Sequence, residues 1–403
     1  MFDGLMKPDS TGQGTIQRGL EAVRRHLGME VAYVSRFEDG RSVFREVDAP
    51  GLEALIRPGD SRGLDEVYCL HILAGRLPEL IPDTAAFPLA TAMPITQAVP
   101  IGAHVSVPIR MPDGRPYGMF CCLSPRANPS LNDRDLQVMR VFAEMAGHAI
   151  AREVAEAEAS RSRMAELETV MEERLFTFRF QPILTLQPLQ VVGFEALCRF
   201  GPEPYRTPDL WFAAAHAAGC GVELELAVLQ RAVQALRRLK APAFLSLNAA
   251  PATILSGRLP KLFAGLPTER LVLEVTEHSQ VEDYDALRAA LAPLRSGGVK
   301  LAIDDAGAGY SSLQHILQLQ PDIIKLDMGL VRGVDQDPAK RALAAALCFF
   351  ARETGCQIVA EGIETEAEFA ALEALGVSRG QGYLLGRPGD LAAAQEMVGA
   401  AAG

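Results

Sequence analysis

The chain has 403 residues and a formal net charge of −11, with 49% hydrophobic residues. That length accommodates two domains with sizeable cores, and the acidic balance argues against a nucleic-acid polymer as partner, which needs a basic face. No apolar stretch reaches the ~18 residues of a bilayer span, so no membrane partner is expected. MFDGLMKPDS lacks the basic segment and apolar core of a signal peptide, so a soluble, cytoplasmic protein is expected.

In chain order, Leu20, Val23 and Leu27 predict a helix over Thr15–Leu27, followed by the strands VAYVSRF and SVFREV. The section from Ala49 to Ala98 is rich in proline and glycine and reads as irregular. HVSVPIRM and YGMFCCLS form a hairpin around Pro112-Asp113-Gly114. A helix starts near Asn132 and runs on to about Leu175, because the stretch is made of good helix formers and lacks proline. Met164, Leu167 and Met171 keep a three-four spacing, which predicts a short coiled-coil seam and a dimer-forming connector. The seven cysteines show no zinc-type spacing and read as buried, reduced thiols; Cys69-Leu70-His71 is included in that reading.

From Phe176 strands and helices alternate, the rhythm of a parallel α/β domain. Predicted helices are Asp209–Ala218, Leu224–Leu239, Asp283–Arg295, Ser311–Leu317, Ala339–Glu353 and Thr365–Leu375. FTFRFQPILTL meets VVGFEAL through a short turn at Gln187-Pro188, so one hairpin is expected to interrupt the parallel order. Apolar runs end repeatedly in residues that bind metals or phosphates: Glu195 closes VVGFE, Asn248 closes FLSLN, Glu274 closes LVLE, Asp304 and Asp305 close KLAIDD, Lys325 lies in DIIKL and Glu361 closes QIVAE. In a barrel of parallel strands such ends converge on one mouth. Five acids, an amide and a lysine there match the composition of a divalent-metal phosphodiesterase. Adjacent Asp304 and Asp305 require the strand to end there, since consecutive strand residues face opposite ways. No histidine has zinc-hydrolase spacing: His278 follows Glu277, and His216 and His315 fall on helical stretches.

Taken in order, FQPIL, FEALCRF, SLNAAP, LEVTE, IDDAGAGYSSL, IKLD, VAEGIET and QGYLLGRP resemble the EAL-domain cyclic di-GMP phosphodiesterases over roughly residues 173–395. The resemblance implies a TIM-like (β/α) barrel with one antiparallel strand, and hydrolysis of cyclic di-GMP to linear pGpG with two Mg²⁺ or Mn²⁺ ions. It implies that Glu195, Asn248, Glu274 and Asp304 hold the first metal, that Asp304 bridges to the second, and that Asp305 and Glu361 lie beside the second. Lys325 then orients the attacking water, Gln381 holds the water network, Arg199 and Gln181 contact substrate, and Glu277 anchors a mobile loop. That loop departs from the family pattern at Ala306 and Ala308, where phenylalanine and threonine are usual, which leaves open a catalytically inactive receptor for cyclic di-GMP.

Residues 10–155 resemble a GAF domain, an α+β sensor module, through AYVSRF, DEVYC, GRLPELIPDT and AHVSVPIRMPDGRPYGMFCCLS. The expected organisation is a GAF-like sensor over 1–155 with an unidentified small-molecule ligand, a helical connector over 156–172 and the phosphodiesterase barrel over 173–403, assembled as a homodimer.

Overall fold

A computed structural model describes residues 12–275, 281–307 and 310–400, and the chain divides into two units, Met1–Arg161 and Ser162–Gly403. In the first unit, Ile16, Leu20, Val23 and Leu27 recur at four- and three-residue steps along helix Gly12–Leu27 and are all buried. One helical stripe thus faces a sheet. The strands are β1 (Val31–Glu38), β2 (Arg41–Asp48), β3 (Ser61–Gly63), β4 (Leu80–Ile81), β5 (Ala103–Arg110) and β6 (Pro116–Ser124), in the antiparallel order β3-β2-β1-β6-β5-β4. Both faces are covered. Ala32, Val34, Phe120 and Cys122 pack against helix Gly12–Leu27 and against Met139, Ala143 and Ile150 of helix Asp133–Glu172. The alternate residues Tyr33, Met119 and Cys121 pack on the other side with Tyr68, Cys69 and Ile72. This two-residue alternation is what a sheet buried on both faces imposes. Cys69, Cys121, Cys122, Cys198 and Cys348 are buried, and all seven cysteines are free.

Helix Asp133–Glu172 is one continuous element of 40 residues. Its end corrects the expected coiled-coil seam. Leu167 and Val170 are buried in a core of the second unit with Phe176, Phe200, Trp211 and Leu224, and Met171 packs against it. The three-four spacing is real, but its partner is the chain's own barrel, leaving only Met164 of the three outside that core. Glu166 pairs with Arg206, whose guanidinium lies 3.8 Å from the Trp211 ring centroid, and Trp211 stacks on Phe200 at 5.2 Å. Trp211→Ala is expected to destabilise this unit by about 3–5 kcal/mol, the usual cost of emptying a buried aromatic site, read as a lower urea midpoint by circular dichroism.

Among the described residues, the second unit is a closed eight-stranded barrel. Its strands are β7 (Phe176–Thr185), β8 (Gln190–Phe200), β9 (Phe244–Asn248), β10 (Leu271–Val275), β11 (Lys300–Ala306), β12 (Ile323–Leu326), β13 (Gln357–Ala360) and β14 (Arg379–Gly380). β7 runs antiparallel to both neighbours, β8 and β14, and every other pairing is parallel. Helices Pro208–Ala217, Gly221–Ala232, Tyr284–Ser296, Tyr310–Leu319, Pro338–Thr354 and Glu366–Ala374 alternate with the strands; the second stops short of the predicted Leu239, giving way to a 3₁₀ turn at Val233–Ala235. Inside the barrel, Ile183, Val272, Ala302, Ile323 and Val359 form an apolar plug. Among the described residues no helix is long and apolar enough to cross a membrane.

Candidate active site

The plug decides where the polar residues go. Val272, Ala302, Ile323 and Val359 face the barrel axis, so the residues two positions on, Glu274, Asp304, Lys325 and Glu361, face it as well. They form the next layer toward the C-terminal strand ends, where barrel chemistry is placed. On β8, Gly193 faces the ring of Phe244, and a Cβ there would meet that ring at 2.6 Å. Glu195 follows two residues later, paired in register with Gln181 of β7 on one side and Ser246 of β9 on the other. Asn248 pairs with Glu274. Gln381 enters the layer because its backbone nitrogen bonds Ala360 O at 2.8 Å and its carbonyl accepts from Ile363 N at 3.1 Å. The next residue is Gly382, where a Cβ would meet the Ile363 backbone at 2.1 Å.

Lys325 is the hub. It is 2% exposed, and its Nζ lies 2.5 Å from Glu361, 2.7 Å from Glu274, 3.1 Å from Asp304 and 3.7 Å from Glu195. Burial opposes its charge, but Asp304, Glu195, Glu274 and Glu361 outweigh burial and hold the ammonium well above the ordinary lysine range. The carboxylates are less well served, since one cation cannot neutralise four of them. Burial pushes Glu274 up to about 8, with the charges of Glu195 and Asp304 adding to burial and Lys325 opposing it. Burial pushes Glu361 well above the carboxylate range too. Gln381 Nε2 donates to Glu195 at 2.7 Å and to Glu361 at 3.3 Å, and Asn248 Nδ2 donates to Glu195 at 3.4 Å.

The donor set fits divalent cations. Asp304, Asp305 and Glu361 offer carboxylate oxygens within 4.8 Å of one another. Asn248 Oδ1 and Gln381 Oε1 are buried and have no hydrogen-bond partner among the described residues. Unpartnered buried carbonyl oxygens beside carboxylates carrying excess negative charge are what a hard, oxygen-seeking ion needs.

One expectation is corrected at the Asp pair. β11 does not end at Asp304; it continues to Ala306. The pairing with β12 slips between Ile303 and Ala306, and Asp305 sits at φ 54°. This bulge, with one residue in the left-handed region, breaks the alternation locally and brings two consecutive carboxylates into one cluster. Asp305 N donates to Asp304 Oδ1 at 3.1 Å.

The other predicted residues divide. Gln181 lies opposite Glu195 and is half-buried, at the edge of the layer. Arg199 is half-buried further along β8, with Nη1 donating to Cys198 O at 2.7 Å, outside the hydrogen-bond network around Lys325. Glu277, His278 and Ala308 lie outside the described residues, while Ala306 is fully buried in the barrel core. His315 is on helix Tyr310–Leu319 as expected, 2.7 Å from the Tyr284 hydroxyl. Two contributors escaped the sequence. Ser246 donates its hydroxyl to Glu274 Oε1, and its signal was available, since it stands two residues before Asn248 on the same strand face. Both oxygens of Glu225, on helix Gly221–Ala232, accept from Ala250 N, at 3.1 and 3.0 Å, and fix the turn after Asn248; no local pattern marks it.

The EAL domain family matches residues 164–388, and the GAF domain family matches residues 11–151. The cyclic di-GMP phosphodiesterase NbdA of Pseudomonas aeruginosa is 33% identical over 245 residues, covering 58% of this chain and 31% of NbdA. The chain spans about a third of the length of curated relatives of this kind. The solved PaMucR phosphodiesterase in complex with c-di-GMP is 30% identical, with a TM-score of 0.52, covering 57% of this chain and 98% of that one. The EAL enzyme Bd1971, solved with cAMP and cyclic di-GMP, shares the fold over 92% of this chain and 93% of its own, at 18% identity and a TM-score of 0.57. The first match spans more than half of the chain, which therefore belongs to the EAL domain family.

Proposed function

We propose that this EAL-domain chain hydrolyses cyclic di-GMP to linear pGpG with two divalent cations, Mg²⁺ or Mn²⁺. The observation that carries the reading is the inward layer itself, where Glu195, Glu274, Asp304 and Glu361 crowd around a single lysine, Asp305 joins Asp304 and Glu361, and two amide oxygens stand unpartnered among the described residues. Glu195, Asn248, Glu274 and Asp304 would hold one ion, and Asp304, Asp305 and Glu361 the other. Such a pair supplies an activated water, neutralised phosphate oxygens and a stabilised leaving oxygen.

The protein's own groups do the positioning. Ser246 and Lys325 fix the two oxygens of Glu274 separately, so that its carboxylate has one orientation. Gln381 ties Glu195 to Glu361 across the layer. Lys325, held protonated, places a fixed positive charge and N–H donors where an attacking water and a phosphoryl oxygen meet, which lowers the cost of negative charge developing there. Arg199 and Gln181 border the layer from the hairpin β7–β8 and are assigned to substrate, arginine matching phosphate geometry.

Purified protein incubated with cyclic di-GMP and each metal, with products separated by chromatography, tests this. pGpG is expected with Mg²⁺ or Mn²⁺ and none in EDTA, and Glu195→Ala is expected to abolish it. Equal turnover in both proteins removes Glu195 from the mechanism. Tight binding in EDTA with no turnover after Mg²⁺ addition would establish the receptor instead. That alternative rests on Ala306, a buried methyl where the family carries an aromatic ring, but the complete ligand set favours hydrolysis.

Regulation forms part of the same reading: a ligand in the GAF unit alters turnover in a homodimer. Unchanged kinetics and oligomeric state after deletion of residues 1–155 would count against it.

A further inference from the structure

Cys121 lies inside the first-unit sheet. On β6 it pairs across to Tyr33 of β1 on one side and to Ser106 of β5 on the other, and its Sγ is 3.0 Å from the Ser106 Oγ. Helix Tyr68–Leu73 packs on that face of the sheet and lowers Cys69 onto it; Cys69 is 1% exposed and Cys121 is fully buried. The Cys69 thiol and the His104 ring both meet Cys121 there. Cys122, next in the chain, faces the other way, as strand alternation requires, and its thiol turns toward Met139 of the long helix at 3.8 Å.

The two thiols are not equivalent. Burial opposes a charge on Cys121, but hydrogen bonds from Cys69, His104 and Ser106 outweigh burial and hold it well below the ordinary cysteine range. Donation to Cys121, with burial added, pushes Cys69 well above that range. Burial pushes Cys122, Cys198 and Cys348 up with nothing nearby strong enough to reverse it, Cys198 to about 12. A thiolate with a neutral thiol beside it is the arrangement of an attacking and a resolving cysteine. A route also reaches the pair. Tyr33 and His104, which touch Cys121, and Tyr68, which precedes Cys69, line a cavity whose rim carries exposed Leu55 and Arg62.

We propose that Cys69 and Cys121 are a redox pair, which a hydroperoxide converts to a disulfide that ties helix Tyr68–Leu73 to β6. The Cys121 thiolate attacks one peroxide oxygen, the O–O bond breaks, and a sulfenic acid forms as hydroxide leaves and takes a proton from solvent. The Cys69 sulfur then attacks the Cys121 sulfur and the S–O bond breaks. The departing oxygen takes the Cys69 proton and leaves as water. Two thiols lose two electrons in all, and one molecule of hydrogen peroxide is reduced to two of water. The reaction belongs to the first unit and is read covalently, so it stands or falls apart from phosphodiesterase activity.

To test this, the reduced full chain is exposed to hydrogen peroxide, quenched with iodoacetamide under denaturing conditions, digested and read by mass spectrometry. A peptide pair joining Cys69 to Cys121, lighter by the hydrogens lost and separated by dithiothreitol, is expected. It should form about tenfold or more faster than Cys220 or Cys356 is oxidised, although those two are only half-buried, because the thiolate is the reacting form. Cys122→Ser is expected to keep the cross-link, which assigns it to Cys121. Cys69→Ser is expected to stop at the Cys121 sulfenic acid, captured by dimedone. The cross-link is read in the unaltered chain, so a variant that misfolds does not remove the test. A pair still open to alkylation once Cys220 and Cys356 are oxidised, or a cross-link lost in folded Cys122→Ser, would overturn the proposal. Folded Cys69→Ser without a dimedone adduct would overturn Cys121 as the attacking sulfur.

Discussion

Lys325→Met is expected to lower kcat by about 10²–10⁴-fold, the range lost when a positioned proton-bearing group is removed. Lys325 meets four carboxylates within 3.7 Å while 2% exposed. Methionine keeps the volume while removing the charge. The effect on KM should be small, because the hub touches the reacting layer rather than the border formed by Gln181 and Arg199. Steady-state kinetics at saturating Mn²⁺ separate the two parameters. A fall in kcat of less than tenfold would show that Lys325 only balances charge. The same variant carries a stability signature. In EDTA it leaves buried carboxylates without their cation, which costs about 3–5 kcal/mol when a buried pair is broken. Added Mn²⁺ is expected to restore most of that loss.

Glu274→Gln is expected to move activity and stability in opposite directions. Glu274 is 1% exposed and already reaches Lys325 and Ser246. Its neighbours Glu195 and Asp304 are of like charge. Burial first, and those charges second, disfavour its ionised form and raise it to about 8, a cost to the folded state that grows as pH rises from the ordinary carboxylate range and is complete above about pH 8; an amide of the same shape removes it, so at pH 8 the metal-free variant should melt higher than the metal-free parent. The ligand lost to the first ion should lower turnover by at least about 10²-fold, since charge stabilisation by a bound cation is worth several kcal/mol. Differential scanning calorimetry with and without Mn²⁺ checks both halves: the parent gains melting temperature on metal addition and the variant gains little. A variant that melts lower in EDTA would mean that the carboxylate is well satisfied by Lys325 and Ser246 alone.

Much of the barrel was legible because each strand is a short apolar run that stops on a polar residue. Val272 and Glu274, Ala302 and Asp304, Ile323 and Lys325, and Val359 and Glu361 share one face at a two-residue step. Periodicity reads that face without any knowledge of the partner strands. It fails where the backbone departs from the period, as at Asp305, because nothing local announces the slip against β12. It fails also where an apolar stripe has two possible partners. Leu167 and Met171 have spacing that suits a second helix or a barrel wall equally well, and the aromatic cluster of Phe176, Phe200 and Trp211 decides the matter. Glu225 was invisible for a third reason: its bond to Ala250 joins residues 25 apart.

The left-handed backbone at Asp305 sets two evolutionary pressures against each other. At φ 54° glycine is the relaxed choice, and Asp305→Gly would ease the main chain while discarding a carboxylate. A library screened only for survival of heat should therefore drift toward glycine at this position, and one screened for turnover should hold aspartate. The identity of residue 305 in such a selection reports which property was being rewarded.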